Sequence, residues 1–173
     1  MTKHLFLVGF MGSGKSHWGE KISARTGVPF LDLDVLIEAG EGNSIPEIFA
    51  RQGESGFRDL ERSYLHRVAG LPASIVALGG GTPCFFDNQA VMEASGTSVY
   101  LKTAPEVLIS RLEREAEQRP LLAQLDRTAL HSFVHERLAA RESCYLKADI
   151  VLDMAQEEKL IQERLEALIR RNK

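Results

Sequence analysis

The sequence predicts an α/β domain in which a parallel sheet is covered by helices on both faces. Short apolar runs alternate with helical patterns from end to end, which is the βα alternation of such a sheet. The strand candidates are mostly apolar, as expected when both sheet faces are buried. In addition, Gly9-Phe10-Met11-Gly12-Ser13-Gly14-Lys15-Ser16 fits the phosphate-binding loop pattern G-x-x-x-x-G-K-[ST] at every fixed position. With 173 residues, 44% of them hydrophobic, the chain suits one domain, 1–173.

Leu5–Val8 reads as a buried strand that leads straight into the glycine loop. Gly12, Ser13 and Gly14 let successive N–H groups face an anion. Lys15 adds a positive charge for the outer phosphates, and the Ser16 hydroxyl is placed for Mg²⁺. The helix expected over Ser16 to Arg25 aims its partly positive N-terminus at the same phosphates. Pro29–Leu33 is the second strand candidate, ending in Asp32-Leu33-Asp34. That end of a parallel sheet is where ligands bind. Alternation puts Asp32 and Asp34 on the same side of an extended segment. One carboxylate can hold Mg²⁺ and the other a hydroxyl acceptor; alternatively, Asp34 caps a helix starting at Val35.

Asp34 to Gly70 carries about three short helical patterns, more than one crossover needs. Within it, Arg58 and Glu61 are three apart and can meet on one helix face. By spacing alone a solvated surface pair is the favoured reading; a buried pair would instead hold the guanidinium fork for a carboxylate or phosphate. The third strand candidate, Ser74–Leu78, runs into Gly79-Gly80-Gly81, where a small ligand can approach the backbone. Thr97–Leu101 is the fourth. Glu115 to Arg127 is polar, contains Arg119-Pro120, and suits either an ordinary surface loop or a mobile lid from which Arg119 can close over phosphates. Arg111 lies beside that segment, and Arg141 lies late in a long helix. Asp149–Leu152 is the fifth strand candidate. The last helix, Gln156 to Arg171, presents Leu160, Ile161, Leu165, Leu168 and Ile169 as its core-facing stripe.

The charge balance is 21 basic against 24 acidic residues, which lacks the basic footprint of a nucleic-acid-binding protein. No apolar run approaches the ~20 residues of a membrane span. Cys84 and Cys144 form neither a disulfide framework nor a metal-site spacing, so reduced thiols in cytoplasm are expected. A monomer is expected, because no large apolar stripe is left over.

Taken in order, the phosphate loop with Met11, Asp32-x-Asp34, Phe57-Arg58-x-x-Glu61, Gly79-Gly80-Gly81, Arg119-Pro120-Leu121-Leu122 and the Arg141 to Asp149 segment resemble shikimate kinase. The resemblance implies a three-layer P-loop kinase fold of nucleoside-monophosphate-kinase type, with a five-stranded parallel sheet of order 2-3-1-4-5. It also implies a substrate-binding region at 34–70 and a lid at 112–127. The implied reaction is ATP plus shikimate giving ADP plus shikimate 3-phosphate, in chorismate and aromatic amino-acid biosynthesis. Lys15, Asp34 and Arg119 would be catalytic; Gly12 to His17 with Arg111 and Arg119 would bind nucleotide. Asp34, Arg58, Gly79, Gly80, Gly81 and Arg141 would hold shikimate, with Arg58 and Arg141 on its carboxylate. Mg²⁺ would sit on Ser16 and Asp32. Two departures stand out: His17 replaces the usual threonine, and Ser143-Cys144 replaces a more apolar, often proline-containing stretch.

Overall fold

His4–Val8 forms strand β1, buried at every residue, with Leu5 and Leu7 facing one core and Phe6 and Val8 the other. A strand sandwiched in this way has no solvent face on which to place polar residues, hence the apolar run Leu5 to Val8. The computed structural model describes residues 2–115 and 126–171. Helix α1 (Lys15–Thr26) follows the glycine loop, then β2 (Phe30–Asp32), α2 (Leu33–Glu41) and α3 (Ile45–Ala69). Next come β3 (Ile75–Ala77), a 3₁₀ turn (Thr82–Cys84), α4 (Asn88–Ser95) and β4 (Gly96–Lys102). Helices α5 (Pro105–Glu115) and α6 (Arg127–Tyr145), strand β5 (Ile150–Asp153) and helix α7 (Glu158–Arg171) complete the described chain.

The five strands form one parallel sheet of order β2-β3-β1-β4-β5, as expected. Helices α1 and α7 cover one face through Trp18, Ile22, Ile161, Leu165 and Ile169. The larger core on the other face takes Leu33, Ile37, Ile48, Leu65, Met92, Leu108 and Val134 from α2 to α6. Leu160 departs from the expected α7 stripe and is exposed. It stands at the start of the helix, where Glu158 instead ties α7 to Lys21 of α1.

The second strand is shorter than expected, and the reason is electrostatic. The Asp32 carboxylate accepts a hydrogen bond from the Asp34 backbone N–H at 3.1 Å, so Asp32 is the N-cap of α2. Leu33 and Asp34 are therefore helical, and neither the extended placement of Asp34 nor its alternative role as a cap holds. Capping by Asp32 leaves the Asp34 side chain free for other work. Helix α3 is broken at Gly53, whose φ of 69° lies in the left-handed region, giving three helical pieces between residues 33 and 69.

Candidate active site

The glycine loop crosses the C-terminal edge of the sheet between β1 and α1. Gly12 and Gly14 take positive φ of 78° and 92°, which turns the chain back on itself so that α1 opens at Lys15. The Lys15 ammonium donates to the Gly9 and Phe10 carbonyls, both at 2.9 Å. Arg111 reaches from α5 and donates to the Gly12 carbonyl at 2.8 Å. Ser13 is buried, with its hydroxyl unpaired among the described residues. His17 is exposed and sits edge-on to Trp18, ring centroids 5.7 Å apart. Gly12, Gly14, Lys15, His17 and Arg111, together with Ser16, Asp32 and Asp34, line a cavity of about 440 Å³.

Ser16 Oγ donates to Asp32 Oδ2 at 2.6 Å. One carboxylate thus caps α2 with one oxygen and meets the loop hydroxyl with the other. These are hard oxygen donors, the kind that Mg²⁺ prefers beside phosphate oxygens. Asp34 Oδ1 is buried and has no hydrogen-bond partner among the described residues, so the donor set at this end fits a small divalent cation or a hydroxyl-bearing ligand. Burial, with the neighbouring Asp32 and Glu61 carboxylates, raises the Asp34 pKa to about 6, against the pull of Lys15.

A second cavity of about 400 Å³ adjoins the first. Met11, Asp34 and Gly80 line both. Its far wall carries Arg58, Arg137 and Arg141, with Phe49, Phe57 and Phe133 between them. The Arg58–Glu61 pair is buried, contrary to the surface reading: Arg58 is 7% exposed and Glu61 1%. Nη1 of Arg58 donates to Glu61 Oε2 at 2.5 Å and Nη2 to Glu54 Oε1 at 2.8 Å. Burial works against the guanidinium charge, but these two carboxylates outweigh it and hold the Arg58 pKa above its usual value. Phe85 lies over the same guanidinium at 4.3 Å. The pair is buried because the chain after the triple glycine closes over it, which spacing along α3 does not reveal.

Gly79, Gly80 and Gly81 form the floor. A Cβ at Gly79 would overlap the Glu61 carboxylate and come within 3.0 Å of Asp34 Oδ1; one at Gly81 would lie 2.5 Å from Arg58 Nη1. Thr82 Oγ1 donates to Glu61 Oε1 at 2.6 Å, so Glu61 ties the floor to the arginine. Tyr145 of α6 donates to the Gly80 carbonyl, and a Cβ at Gly80 would lie 3.6 Å from Arg141 Nη1.

The fold thus brings together every expected site residue that it describes. Arg119 lies outside the described residues, as does most of the expected lid; of 112–127, residues 112–115 complete α5 and 126–127 open α6. Sequence reasoning passed over Arg137, Glu54, Phe49 and Phe133. Arg137 and Arg141 stand one helical turn apart on α6, the i, i+4 spacing that puts two guanidinium groups on one face.

The model of the shikimate kinase family matches residues 11–170. A shikimate kinase of Parabacteroides distasonis is 44% identical over 151 residues, covering 87% of each chain. The crystal structure of shikimate kinase from Bacteroides thetaiotaomicron superposes with a TM-score of 0.91 at 35% identity, over 97% of this chain and 98% of that one. Shikimate kinase from Acinetobacter baumannii, solved in complex with shikimate, gives 0.87 at 31% identity over 99% and 95%. With a matching family model, close relatives over most of the length and the expected sheet order, this chain belongs to the shikimate kinase family.

Proposed function

We propose that the chain transfers the γ-phosphoryl group of ATP to the 3-hydroxyl of shikimate, giving ADP and shikimate 3-phosphate. One observation carries this reading: Asp34 lines both the phosphate-loop cavity and the arginine-walled cavity. A donor bound in the first and an acceptor in the second meet at its carboxylate. Phosphoryl transfer asks mainly for such positioning and for neutralisation of charge on the transferred group.

ATP phosphates occupy the turn of Gly12 to Ser16, with Lys15 leaving its own loop carbonyls for the outer phosphates and His17 and Arg111 flanking the nucleotide. Ser16 and Asp32 would hold Mg²⁺, which would supply further neutralisation of the phosphate oxygens. Arg58 and Arg141 bind the shikimate carboxylate, joined by Arg137, and the Gly79–Gly81 backbone contacts the ring. Asp34 accepts the hydrogen of the attacking hydroxyl. With its pKa near 6, it is mostly ionised at neutral pH yet basic enough to take the proton as the O–P bond forms. Arg119 is assigned to the transferring phosphoryl group through the family resemblance.

Both cavities are built within one chain, which supports a monomer as the working unit. Among the described residues no helix is long and apolar enough to cross a membrane. Together with two free cysteines, this supports a place in the cytoplasm. The test is the structure of the product: Mg-ATP and shikimate are incubated with the protein, and phosphorus–proton correlation locates the new ester. Phosphate on the 3-hydroxyl is expected; an ester at another hydroxyl would overturn the placement of the ring against Asp34.

A further inference from the structure

Two carboxylates hold the Arg58 guanidinium, and they do so from unlike positions. Glu61, 1% exposed, also accepts from Thr82 Oγ1 and cannot leave without stranding a buried charge. Glu54 is half exposed and accepts from Arg58 Nη2 at 2.8 Å. It opens the second piece of α3, directly after the break at Gly53, where φ is 69° and a Cβ would meet nothing within 4 Å. Glycine is needed there for conformation rather than for space. That break sets Glu54 one turn before Arg58 on the same helix face. Arg58 Nε, on the same edge of the guanidinium as Nη2, is buried with no hydrogen-bond partner among the described residues. Glu54 also lines the arginine-walled cavity, with Arg137 and Arg141.

We propose that Glu54 is an internal competitor for the acceptor's carboxylate: it holds the Nη2 edge of Arg58 that an acid acceptor must take, and it is displaced into solvent when that acid binds. A carboxylate sits best on a guanidinium when it spans two N–H groups of one edge. Nη1 is committed to the buried Glu61, which leaves the edge running from Nε to Nη2. A carboxylate docked there would satisfy Nε, which Glu54 leaves without an acceptor, but only by taking Nη2 from Glu54. The exchange is balanced in charge, one carboxylate for another. Glu61 stays in place throughout, and Glu54, already half in water, leaves at small cost. Arg58 first, then Arg137 and Arg141 at longer range, hold the Glu54 carboxyl below its ordinary range. It is therefore ionised, and competes, at neutral pH.

The consequence is selectivity. An acceptor that brings its own carboxylate replaces the ion pair that it breaks. A neutral hydroxyl compound cannot, and meets a pocket in which Glu54 still occupies Arg58. Part of the acid's affinity is given up in the exchange, on the scale of a half-exposed ion pair, about two- to fivefold. That the acid is shikimate rests on the kinase reading; the competition for Arg58 does not.

The test uses the full chain and Glu54→Gln, which keeps the side-chain shape and removes the charge. By titration calorimetry the Kd for shikimate should fall about two- to fivefold in the variant. A glutamate that merely orients Arg58 would give the opposite sign, and weaker or unchanged binding would overturn the proposal. A second readout needs no variant protein to fold. In the parent chain the Glu54 carboxyl carbon, followed by NMR, should titrate below the ordinary glutamate range and return up to it in saturating shikimate. A Glu54 that stays low with shikimate bound would also overturn the proposal. Benzoate, a ring carboxylate without hydroxyls, should show both effects at its own weaker affinity. If benzoate shows them and shikimate does not bind, the kinase reading fails and the competition stands. If shikimate binds and is phosphorylated with neither effect, the competition fails and the kinase reading stands.

Discussion

Replacing Arg58 by alanine should damage the protein twice, by separable routes. In the folded chain Glu61 is 1% exposed, and its carboxylate is held by Arg58 Nη1 at 2.5 Å and Thr82 Oγ1 at 2.6 Å. Arg58→Ala leaves that charge buried with one neutral hydroxyl, and stranding one member of a buried pair costs about 3–5 kcal/mol. In a domain of this size each kcal/mol moves the Tm by about 2–4 °C, so the Tm should fall by roughly 6–20 °C. Arg58→Ala/Glu61→Gln removes the stranded charge while keeping an acceptor for Thr82, and should recover most of that loss. The acceptor side behaves differently. Both variants lack the guanidinium, so both should bind shikimate more weakly by about 2–5 kcal/mol, roughly 30- to 4,000-fold. Thermal unfolding by circular dichroism reads the first effect and titration calorimetry with shikimate the second. An Arg58→Ala protein that melts within about 2 °C of the parent would refute the stranded-charge argument. A double variant that regains shikimate affinity along with stability would show that Arg58 acts through folding alone.

Lys15→Ala should abolish ADP formation and leave the Tm nearly unchanged, because the ammonium donates to two carbonyls of its own loop; a large Tm loss would contradict this. Asp34 carries a proton more tightly when folded, with its pKa raised from 3.8 to about 6. Its contribution to stability therefore declines as pH rises through that window, by about 2–3 kcal/mol in total. Asp34→Asn should accordingly be more stable than the parent above pH 6 and equal to it below about pH 4, while losing turnover. In the parent, kcat/KM for shikimate should fall as pH drops below about 6, and a pH-independent rate down to 5 would remove Asp34 as the proton acceptor. Gly81→Ala should raise the KM for shikimate and spare that for ATP, since its Cβ would lie 2.5 Å from Arg58 Nη1; equal changes in both would place the fault elsewhere.

The sheet was legible because β1 and β3 are buried at every residue and carry the apolar runs Leu5 to Val8 and Ile75 to Ala77, and because Val99, Tyr100 and Leu101 give β4 a buried apolar centre. The glycine loop was legible because its backbone needs glycine at positive φ. The boundary at β2 was not, because Asp32 spends one side-chain oxygen on capping α2, a choice that depends on where the helix starts. The burial of Arg58 and Glu61 was hidden for a different reason. The same i, i+3 spacing serves a surface pair, and only the chain after Gly81, with Phe85 and Thr82, encloses it. Arg137 reads as a solvated charge until α6 is laid across the mouth of the second cavity.

Two cavities meeting at Asp34, one for nucleotide phosphates and one lined by arginines for a small hydroxylated acid, are the centre of this account. ADP release with Mg-ATP, compared across shikimate, gluconate and nucleoside monophosphates at equal concentration, tests it most directly. Turnover with shikimate and background rates with the other acceptors are expected. Turnover with gluconate or a nucleotide but not with shikimate would contradict it.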